Sequence, residues 1–340
     1  MADNTSLSSS RRGLIKASFA SVVLSSCASV ADSAKMAAVS TTPNQNYIEP
    51  DLTIELWPNG VILPNLKPIV EKIIQRAKTG ELSNRVIENT ETPRLMVFLA
   101  KEPNGAAILV TPGGGYARVV FDHEGGDIAK FYNPRGISVF VLLYRLPSDG
   151  WVQGPNVALS DAQRAMRIIK HRAREFKIDA NRVAAMGFSA GGHLCADLST
   201  RFDEITYPRQ DLADDQSARP FIAAQIYPVI SMDASIAHMG SRNNLIGANP
   251  SDELIAKHSP DKNVNASTPP MFLCHAEDDG AVKVENTLLL RQALKEMKIP
   301  VESHLFAIGG HGFSIRNSIG KPANIWPELF YNFAKSQKLF

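Results

Sequence analysis

Unbroken apolar runs that alternate with helix-like segments limit most strongly what this chain can fold into. Residues 106–110 and 137–144 are almost entirely hydrophobic, as expected for strands covered on both faces. Between residues 161 and 176 apolar side chains recur at helical spacing, which predicts a helix leading to a third run at 182–186. Further strands are predicted at 221–226, 271–275 and 301–308, and helices at 284–297 and 326–338, while another apolar piece at 96–99 precedes the first glycine cluster. This alternation predicts an α/β fold with a doubly wound, mostly parallel sheet and helices on both faces.

The third run leads into the sequence Gly-Phe-Ser-Ala-Gly-Gly-His at residues 187–193. A G-x-S-x-G turn between a strand and a helix holds its serine on a strained elbow, with the hydroxyl exposed at the end of the sheet. Ligands of doubly wound sheets bind beyond the carboxyl ends of the strands, where this turn is predicted to lie. Ser189 is therefore a candidate nucleophile. Short Gly/Ser/Ala patterns also arise by chance, so the interpretation depends on its partners.

A nucleophilic serine needs a general base and a carboxylate that orients the base. Asp278 and Asp279 follow the strand at 271–275, and His311 follows the strand at 301–308. The order serine, acid, histidine, each after a strand, is that of α/β-hydrolases. Taken singly, the histidine could be a solvated loop residue and either aspartate a turn residue. The combination predicts a Ser-Asp-His triad and leaves both aspartates open as its acid.

Three consecutive glycines follow the strand at 106–110, at Gly113, Gly114 and Gly115. In α/β-hydrolases a loop at this position supplies backbone N–H groups to the oxyanion that forms on the substrate carbonyl. The alternative is a flexible turn without a catalytic role. The glycines agree with the serine, acid and histidine in their place after a strand, and we therefore predict an oxyanion loop.

Charge and cysteine content argue against a nucleic-acid-binding protein and against a zinc protein. The 340-residue chain has a formal net charge of +2, with acidic and basic residues mixed along it, so no nucleic-acid partner is predicted. Cys195 and Cys274 lie in apolar contexts and lack the spacing or histidine partners of a zinc site. Buried thiols are expected there, with no metal. A serine mechanism also requires no cofactor.

Residues 1–45 differ in composition from the rest of the chain. They are rich in Ser, Ala and Thr, and the pair Arg11-Arg12 precedes a weakly apolar stretch, which resembles a bacterial twin-arginine export signal. Residues 24–27 resemble a lipoprotein cleavage box that would leave Cys27 as a lipid-bearing first residue. The alternatives are cleavage after residue 31, which releases a soluble protein, and a plain disordered tail. We predict an export signal and flexible linker at 1–45 and a single folded domain at 46–340.

Export by this route leads to the periplasm, to a membrane-anchored lipoprotein or to secretion. Membrane attachment is expected only through a lipid on Cys27.

Five motifs together resemble the carbohydrate esterase branch of the α/β-hydrolases, which includes acetylxylan esterases and acetyl esterases, some of them labelled xylanase B-like. The resemblance covers most of residues 95–340. Two departures are Lys283, where relatives often carry proline, and Pro112, where lipase-like relatives carry histidine. The motifs are PGGGY (112–116), YRLP (144–147), the segment 161–194, HAEDDGAVKVENT (275–287) and GGHGFS (309–314).

The resemblance implies a role for each matching residue. Ser189 would be the nucleophile, His311 the general base and then acid, and Asp279 the carboxylate that holds the imidazole. The oxyanion hole would use the backbone amides of Gly114, Gly115 and Ala190, with Gly113 as an alternative donor.

Other residues are weaker candidates for substrate contact. His123 and Glu124 follow the glycine loop closely enough to line the site, although a turn explains them equally well. Tyr116 and Trp151 are candidate surfaces for sugar stacking, although aromatic residues more often lie in the core. His193 is expected to be a packed helix residue. Residues 231–268 form a polar insertion with two short helical patterns, predicted to be a small lid over the pocket.

The function expected from this sequence is that of an exported serine esterase. It would remove acetyl groups from carbohydrate such as acetylated xylan, through an acyl-enzyme and without metal or cofactor. Its partner is then a small-molecule or oligosaccharide ester. The alternatives are a feruloyl or general small-molecule carboxylesterase, and an inactive hydrolase fold used as a binding module. The intact serine, acid and histidine argue against the last of these.

Overall fold

A mostly parallel sheet of eight strands organises the part of the chain that a computed structural model describes, residues 47–57, 60 and 64–340. Its order is β1-β4-β6-β5-β7-β8-β9-β10. The pairs β1–β4 and β4–β6 are antiparallel, and every other neighbouring pair is parallel. The strands of the described ranges are β1 (Leu52–Glu55), β2 (Lys72–Gln75), β3 (Arg85–Glu88), β4 (Arg94–Phe98), β5 (Ala107–Thr111), β6 (Ser138–Leu143), β7 (Val183–Phe188), β8 (Ala223–Ile226), β9 (Met271–Ala276) and β10 (Val301–Phe306).

Helices flank this sheet. In α7 the side chains of Trp326, Phe330, Phe333 and Ala334 are buried, which is one apolar face at helical spacing. The helix α3 packs against β7 and β8, α6 against β9 and β10, and α7 against β9. The predicted fold class is confirmed. The helices of the described ranges are α1 (Asp127–Tyr132), α2 (Val157–His171), α3 (Ser189–Thr200), α4 (Met239–Ile246), α5 (Asp252–Lys257), α6 (Glu285–Glu296) and α7 (Trp326–Ser336).

The helix predicted at 161–176 is displaced toward the N-terminus. A short 3₁₀ turn at Gly154–Asn156 leads directly into α2, which therefore begins at Val157. The helix ends at His171, and Lys177 adopts a left-handed φ of 55° before the chain enters β7. The apolar residues beyond the end of the helix lie in turns and still face the core. Their spacing is the same as that of a further helical turn, so the sequence did not show where the helix ends.

The antiparallel hairpin β2–β3 was not predicted. It forms a two-stranded sheet of its own, and β2 is fully exposed, so its sequence shows no buried alternation. Ile87 of β3 exchanges backbone hydrogen bonds of 3.0 and 2.9 Å with Val119. Arg85 of β3 pairs with Asp122 at 2.8 Å. These contacts hold the hairpin beside the segment that follows the three glycines.

The predicted export signal, with Cys27, lies outside the described residues. Within the described ranges no helix has both the length and the apolar character needed to cross a membrane. Cys195 and Cys274 are buried free thiols. Burial raises the pKa of Cys195 to about 12.

Candidate active site

Ser189 occupies the turn between β7 and α3, as the G-x-S-x-G pattern predicts. Its φ of 52° is left-handed, which is a strained conformation for a residue with a side chain. A Cβ on Gly187 would lie 2.2 Å from Gly191 O, and one on Gly191 would lie 2.1 Å from Thr111 O. Strand and helix therefore approach more closely than any other residue permits, and they fix Ser189 at the carboxyl end of β7.

Three side chains from three different loops form a hydrogen-bonded line. Ser189 Oγ lies 2.9 Å from His311 Nε2, and His311 Nδ1 lies 2.7 Å from Asp279 Oδ2. With Nδ1–H donating to the carboxylate, Nε2 is the nitrogen that can accept the serine proton. The imidazole also contacts the ring of Tyr227 edge-on, with centroids 5.2 Å apart. The structure thus brings together the three residues predicted to form a triad.

The Asp279 carboxylate is buried and fully hydrogen-bonded. Its Oδ1 accepts from the amides of Ala281 and Val282, both at 2.9 Å. Burial by itself would raise the pKa of this carboxyl, but hydrogen bonds from His275 and His311 outweigh burial and hold the pKa well below its usual range. The carboxylate is therefore ionised at neutral pH beside the imidazole.

Asp278 has a different position from its neighbour. Its Oδ1 accepts hydrogen bonds from the amides of Gly309 and Gly310 at 2.8 and 2.7 Å. It therefore fixes the loop that precedes His311 without touching the imidazole. The geometry makes Asp279, and not Asp278, the partner of the histidine.

The glycine loop has one amide that is already engaged. Gly113 N–H donates to Glu124 Oε2 at 2.6 Å, so it is not available to an oxyanion. In the described part of the chain the amides of Gly114 and Gly115 donate to no other group, and both residues line the cleft at Ser189. Ala190 lies in the first turn of α3, where amides lack an intrahelical acceptor. These three are the predicted oxyanion donors.

Glu124 is buried beneath the loop and joins it to the histidine side of the site. Its Oε1 accepts a 2.8 Å hydrogen bond from the hydroxyl of Tyr227, whose ring contacts His311. Since its other oxygen accepts from Gly113, both carboxylate oxygens have protein partners. Glu124 lines the cleft as predicted, but its contacts are those of a residue that positions the loop.

His123 has a comparable place on the other side of the cleft. Its Nε2 lies 3.0 Å from the carbonyl oxygen of Gly312, and its own carbonyl accepts from the hydroxyl of Ser314 at 3.0 Å. With Nε2–H donating to that carbonyl, His123 fixes the loop directly after His311. It also lines the cleft.

The aromatic residues predicted to stack on sugar lie in the core instead. Tyr116 is 1% exposed, and its hydroxyl lies 2.7 Å from His193 Nδ1. Trp151 is 4% exposed. Neither residue lines the cleft. The Tyr116 ring contacts the ring of His193, and the guanidinium of Arg145 lies over the Trp151 ring. His193 is itself buried and its Nε2 lies 2.8 Å from the carbonyl oxygen of His258, which fits the packed helix residue expected there.

A cleft of about 390 Å³ opens at Ser189 and His311. The insertion at 231–268, which contains α4 and α5, contributes one residue to a wall of the cleft. His238 lines this wall, and its Nδ1 accepts from the amide of Ser241 at 3.2 Å. Asn244 donates to the carbonyl oxygen of Gly115 at 2.9 Å, so the insertion contacts the glycine loop directly. Its role as a moving lid stays a prediction.

Sequence reasoning missed several residues of the site, among them His275, His238, Arg76 and Arg118. His275 lies near the end of β9, four positions before Asp279. This short distance from the predicted acid was the signal that could have identified it. His238 lies in a segment with little periodicity. Arg76 lines the cleft because the β2–β3 hairpin docks there, and the hairpin itself had no clear pattern. Arg118 lines it from the segment that follows the glycine loop.

The chain matches the BD-FAE family over residues 99–294, which is more than half of its length. It belongs to this family of α/β-hydrolases.

Two curated proteins are similar in sequence. The endo-1,4-beta-xylanase B of Butyrivibrio fibrisolvens is 36% identical over 275 residues, which is 80% of this chain and 41% of that protein. The acetylxylan esterase of Xylanibacter ruminicola is 31% identical over 242 residues, or 70% of this chain and 47% of that protein. The chain thus spans less than half the length of either relative.

One solved structure covers nearly the same span as this chain. The acetyl ester-xyloside bifunctional hydrolase of Caldicellulosiruptor lactoaceticus is 33% identical with a TM-score of 0.71, and the match covers 86% of this chain and 98% of that one.

Proposed function

We propose that this protein is a serine esterase that removes acetyl groups from carbohydrate esters such as acetylated xylan. The observation that carries the proposal is the hydrogen-bonded line from Ser189 through His311 to Asp279, which opens into the cleft beside the free amides of the glycine loop. Nucleophile, base, orienting acid and oxyanion donors are the complete set that ester hydrolysis through an acyl-enzyme requires.

The reaction proceeds in two halves. His311 Nε2 takes the proton of Ser189 while Oγ attacks the ester carbonyl, and the amides of Gly114, Gly115 and Ala190 stabilise the oxyanion. The bond between the carbonyl carbon and the sugar oxygen then breaks, the sugar leaves as an alcohol with the proton that His311 returns, and the acetyl group stays on Ser189 Oγ as an ester. Water, activated by the same imidazole, then attacks the acyl-enzyme and releases acetate. Asp279 keeps the imidazole in the required tautomer throughout.

The substrate class is supported by the relatives. An acetylxylan esterase and an acetyl ester-xyloside hydrolase are both above 30% identical to this chain. Another relative is called a xylanase, but glycosidases generally use two carboxylates that flank the bond. Among the described residues that line the cleft, Glu124 is the one carboxylate, and its oxygens are engaged. Ester cleavage therefore fits this cleft better than glycoside cleavage.

The test is acetate release from neutral acetylated xylo-oligosaccharides by the purified full chain, beside p-nitrophenyl acetate and a feruloyl ester. The matched control is Ser189→Ala. Rapid acetate release that disappears in the variant supports the proposal. Activity on p-nitrophenyl acetate or the feruloyl ester alone would show that the protein is a general or feruloyl esterase and not a carbohydrate acetyl esterase. Absence of any hydrolysis by folded protein would favour a binding module.

Export is part of the same proposal, because polymeric xylan lies outside the cell. The support is the arginine pair and the cleavage box of the N-terminal sequence. We expect the mature protein in the periplasm or on the membrane, and replacement of Arg11 and Arg12 by lysine to retain the precursor inside the cell. The mass of the mature N-terminus then distinguishes a lipid-bearing Cys27 from cleavage after residue 31.

A further inference from the structure

Two arginine side chains line the cleft that holds the candidate nucleophile. Arg76 follows β2 on the hairpin, and Arg118 follows the glycine loop. They share this cleft with Ser189 and His311. No step of the proposed ester hydrolysis uses either cation.

Arg76 is held in place but not neutralised. Within the described ranges its hydrogen bonds go to Asn84, through the guanidinium at 2.7 Å and the backbone amide at 3.1 Å. Asn84 is uncharged and itself lines the cleft. The hairpin that carries both residues is fixed by the ion pair between Arg85 and Asp122. Arg76 therefore presents a fixed positive charge to the cleft.

Arg118 is only weakly paired. Its Nε lies 3.6 Å from Glu88 Oε1, beyond hydrogen-bond distance, and the two side chains are 40% and 31% exposed. This contact leaves the two terminal amino groups of the guanidinium available. The backbone of the same residue is close to the oxyanion loop, since a Cβ on Gly114 would lie 2.1 Å from Arg118 O.

The described residues that line the cleft carry two guanidinium groups and one carboxylate, that of Glu124. Burial and the nearby charge of Arg118 both lower the pKa of Arg76, against the opposing effect of Glu124. Within the described ranges Glu124 forms no ion pair with either arginine. Its oxygens accept from Gly113 and Tyr227, and its charge acts on Arg76 from a greater distance. Two guanidinium groups thus repel each other beside the reacting serine, and an anion bound between them would relieve that repulsion.

We propose that the substrate carries a carboxylate close to its scissile ester, and that Arg76 and Arg118 bind this carboxylate. The inference rests on the esterase function proposed above. Guanidinium groups bind carboxylates through paired hydrogen bonds, which fix orientation as well as charge. On a carbohydrate ester the carboxylate belongs to a uronic acid joined to the acetylated sugar. The other source is an acyl group that itself ends in a carboxylate.

The experiment compares kcat/KM for acetylated xylo-oligosaccharides with and without a uronic acid substituent, and for the p-nitrophenyl esters of acetate and hemisuccinate. The full chain is tested beside Arg76→Gln, Arg118→Gln, the double variant and the charge-preserving Arg76→Lys. The control is Arg291→Gln, an exposed arginine on α6 away from the cleft.

In one of the two substrate pairs, we expect kcat/KM to be roughly 10-fold higher for the substrate that carries the carboxylate. This is the size typical of hydrogen bonds to charged groups. The preference falls in each glutamine variant, persists largely in Arg76→Lys and Arg291→Gln, and shrinks as salt is added. The pair that shows it identifies the sugar or the acyl group as the source. Equal rates for both members of both pairs, or a preference that survives the double variant, would overturn the inference. Hydrolysis of the neutral oligosaccharide reports separately on the esterase function.

Discussion

The Nε2 atom of His275 lies 3.2 Å from Asp279 Oδ2, the oxygen that also accepts from His311. His275 is completely buried, and its Nδ1 lies 2.8 Å from the hydroxyl of Thr287. With that hydroxyl donating, Nε2 carries the hydrogen and donates toward the carboxylate and the carbonyl oxygen of Val282, which lies at 3.0 Å. His275 therefore orients Asp279, and Asp279 in turn orients His311. His275 lies on β9, the strand immediately before Asp279.

Replacement by asparagine should affect kcat very differently at Asp278 and at Asp279. We expect Asp279→Asn to lower kcat by about 10³- to 10⁴-fold, because an amide stabilises the wrong imidazole tautomer. Asp278→Asn retains an acceptor for the loop amides and should lower kcat by less than about 10-fold. Steady-state rates on p-nitrophenyl acetate measure both. Comparable losses in the two variants would contradict the assignment of the acid.

Glu124→Gln tests whether this residue positions the oxyanion loop. Glutamine offers an acceptor to Gly113 but only a donor to Tyr227, so the Tyr227 hydroxyl must turn to accept, and the neutral side chain holds the Gly113 amide less strongly than a carboxylate does. We therefore expect kcat to fall by roughly 10- to 100-fold with little change in KM. The control is Glu296→Gln on the exposed face of α6, which should leave both constants unchanged. A rise in KM at constant kcat would instead show that Glu124 binds substrate.

The close approach at the elbow predicts that Gly191 cannot be replaced. In Gly191→Ala the new Cβ would lie 2.1 Å from Thr111 O and 2.3 Å from Pro112 O, and we expect a loss of about 3 kcal/mol in the free energy of unfolding. Gly126→Ala is the matched control, because its Cβ would meet Ile48 Cγ1 at 3.8 Å and its φ is helical at −56°. Urea denaturation compares them. Equal stability of the two variants would refute the elbow geometry.

His258 makes stability depend on pH. Burial lowers its pKa to about 4, with Asp197 acting in the opposite direction and Arg201 and His193 adding to the decrease. Below its ordinary pKa of about 6.5 the unfolded chain binds a proton that the folded chain does not. Stability due to this group is therefore present above that pH and is lost as the pH falls toward 4, by up to about 3 kcal/mol.

His258→Gln should accordingly reduce the fall in unfolding free energy between pH 7 and 4.5, measured by urea denaturation at each pH. His171→Gln replaces an exposed histidine and should leave the fall unchanged. An identical pH dependence in the wild type and His258→Gln would contradict this account.

Prediction from sequence succeeded where a single local pattern specifies the structure. The buried strands β5 to β9 are continuous apolar runs, and Ser189 stands in a turn whose glycines have no steric alternative. Asp279 and His311 follow their strands at once, so strand order alone brings them to one edge of the sheet.

Prediction failed where a contact depends on distant segments. The hairpin β2–β3 is stabilised by Arg85 and Ile87 against residues more than thirty positions away, and nothing in its own sequence shows this. The burial of Tyr116 depends on a hydrogen bond to His193, 77 positions along the chain. Position after a glycine loop suggested a surface residue, whereas the tertiary packing made it part of the core.

Covalent labelling shows whether Ser189 is a nucleophile. Folded full-length protein would be treated with a fluorophosphonate and examined by intact mass and peptide mapping. We expect one adduct per chain, located on Ser189, absent in Ser189→Ala and formed much more slowly in Asp279→Asn. Folded protein that takes up no label, or that carries it on another residue, would show that Ser189 is not the nucleophile.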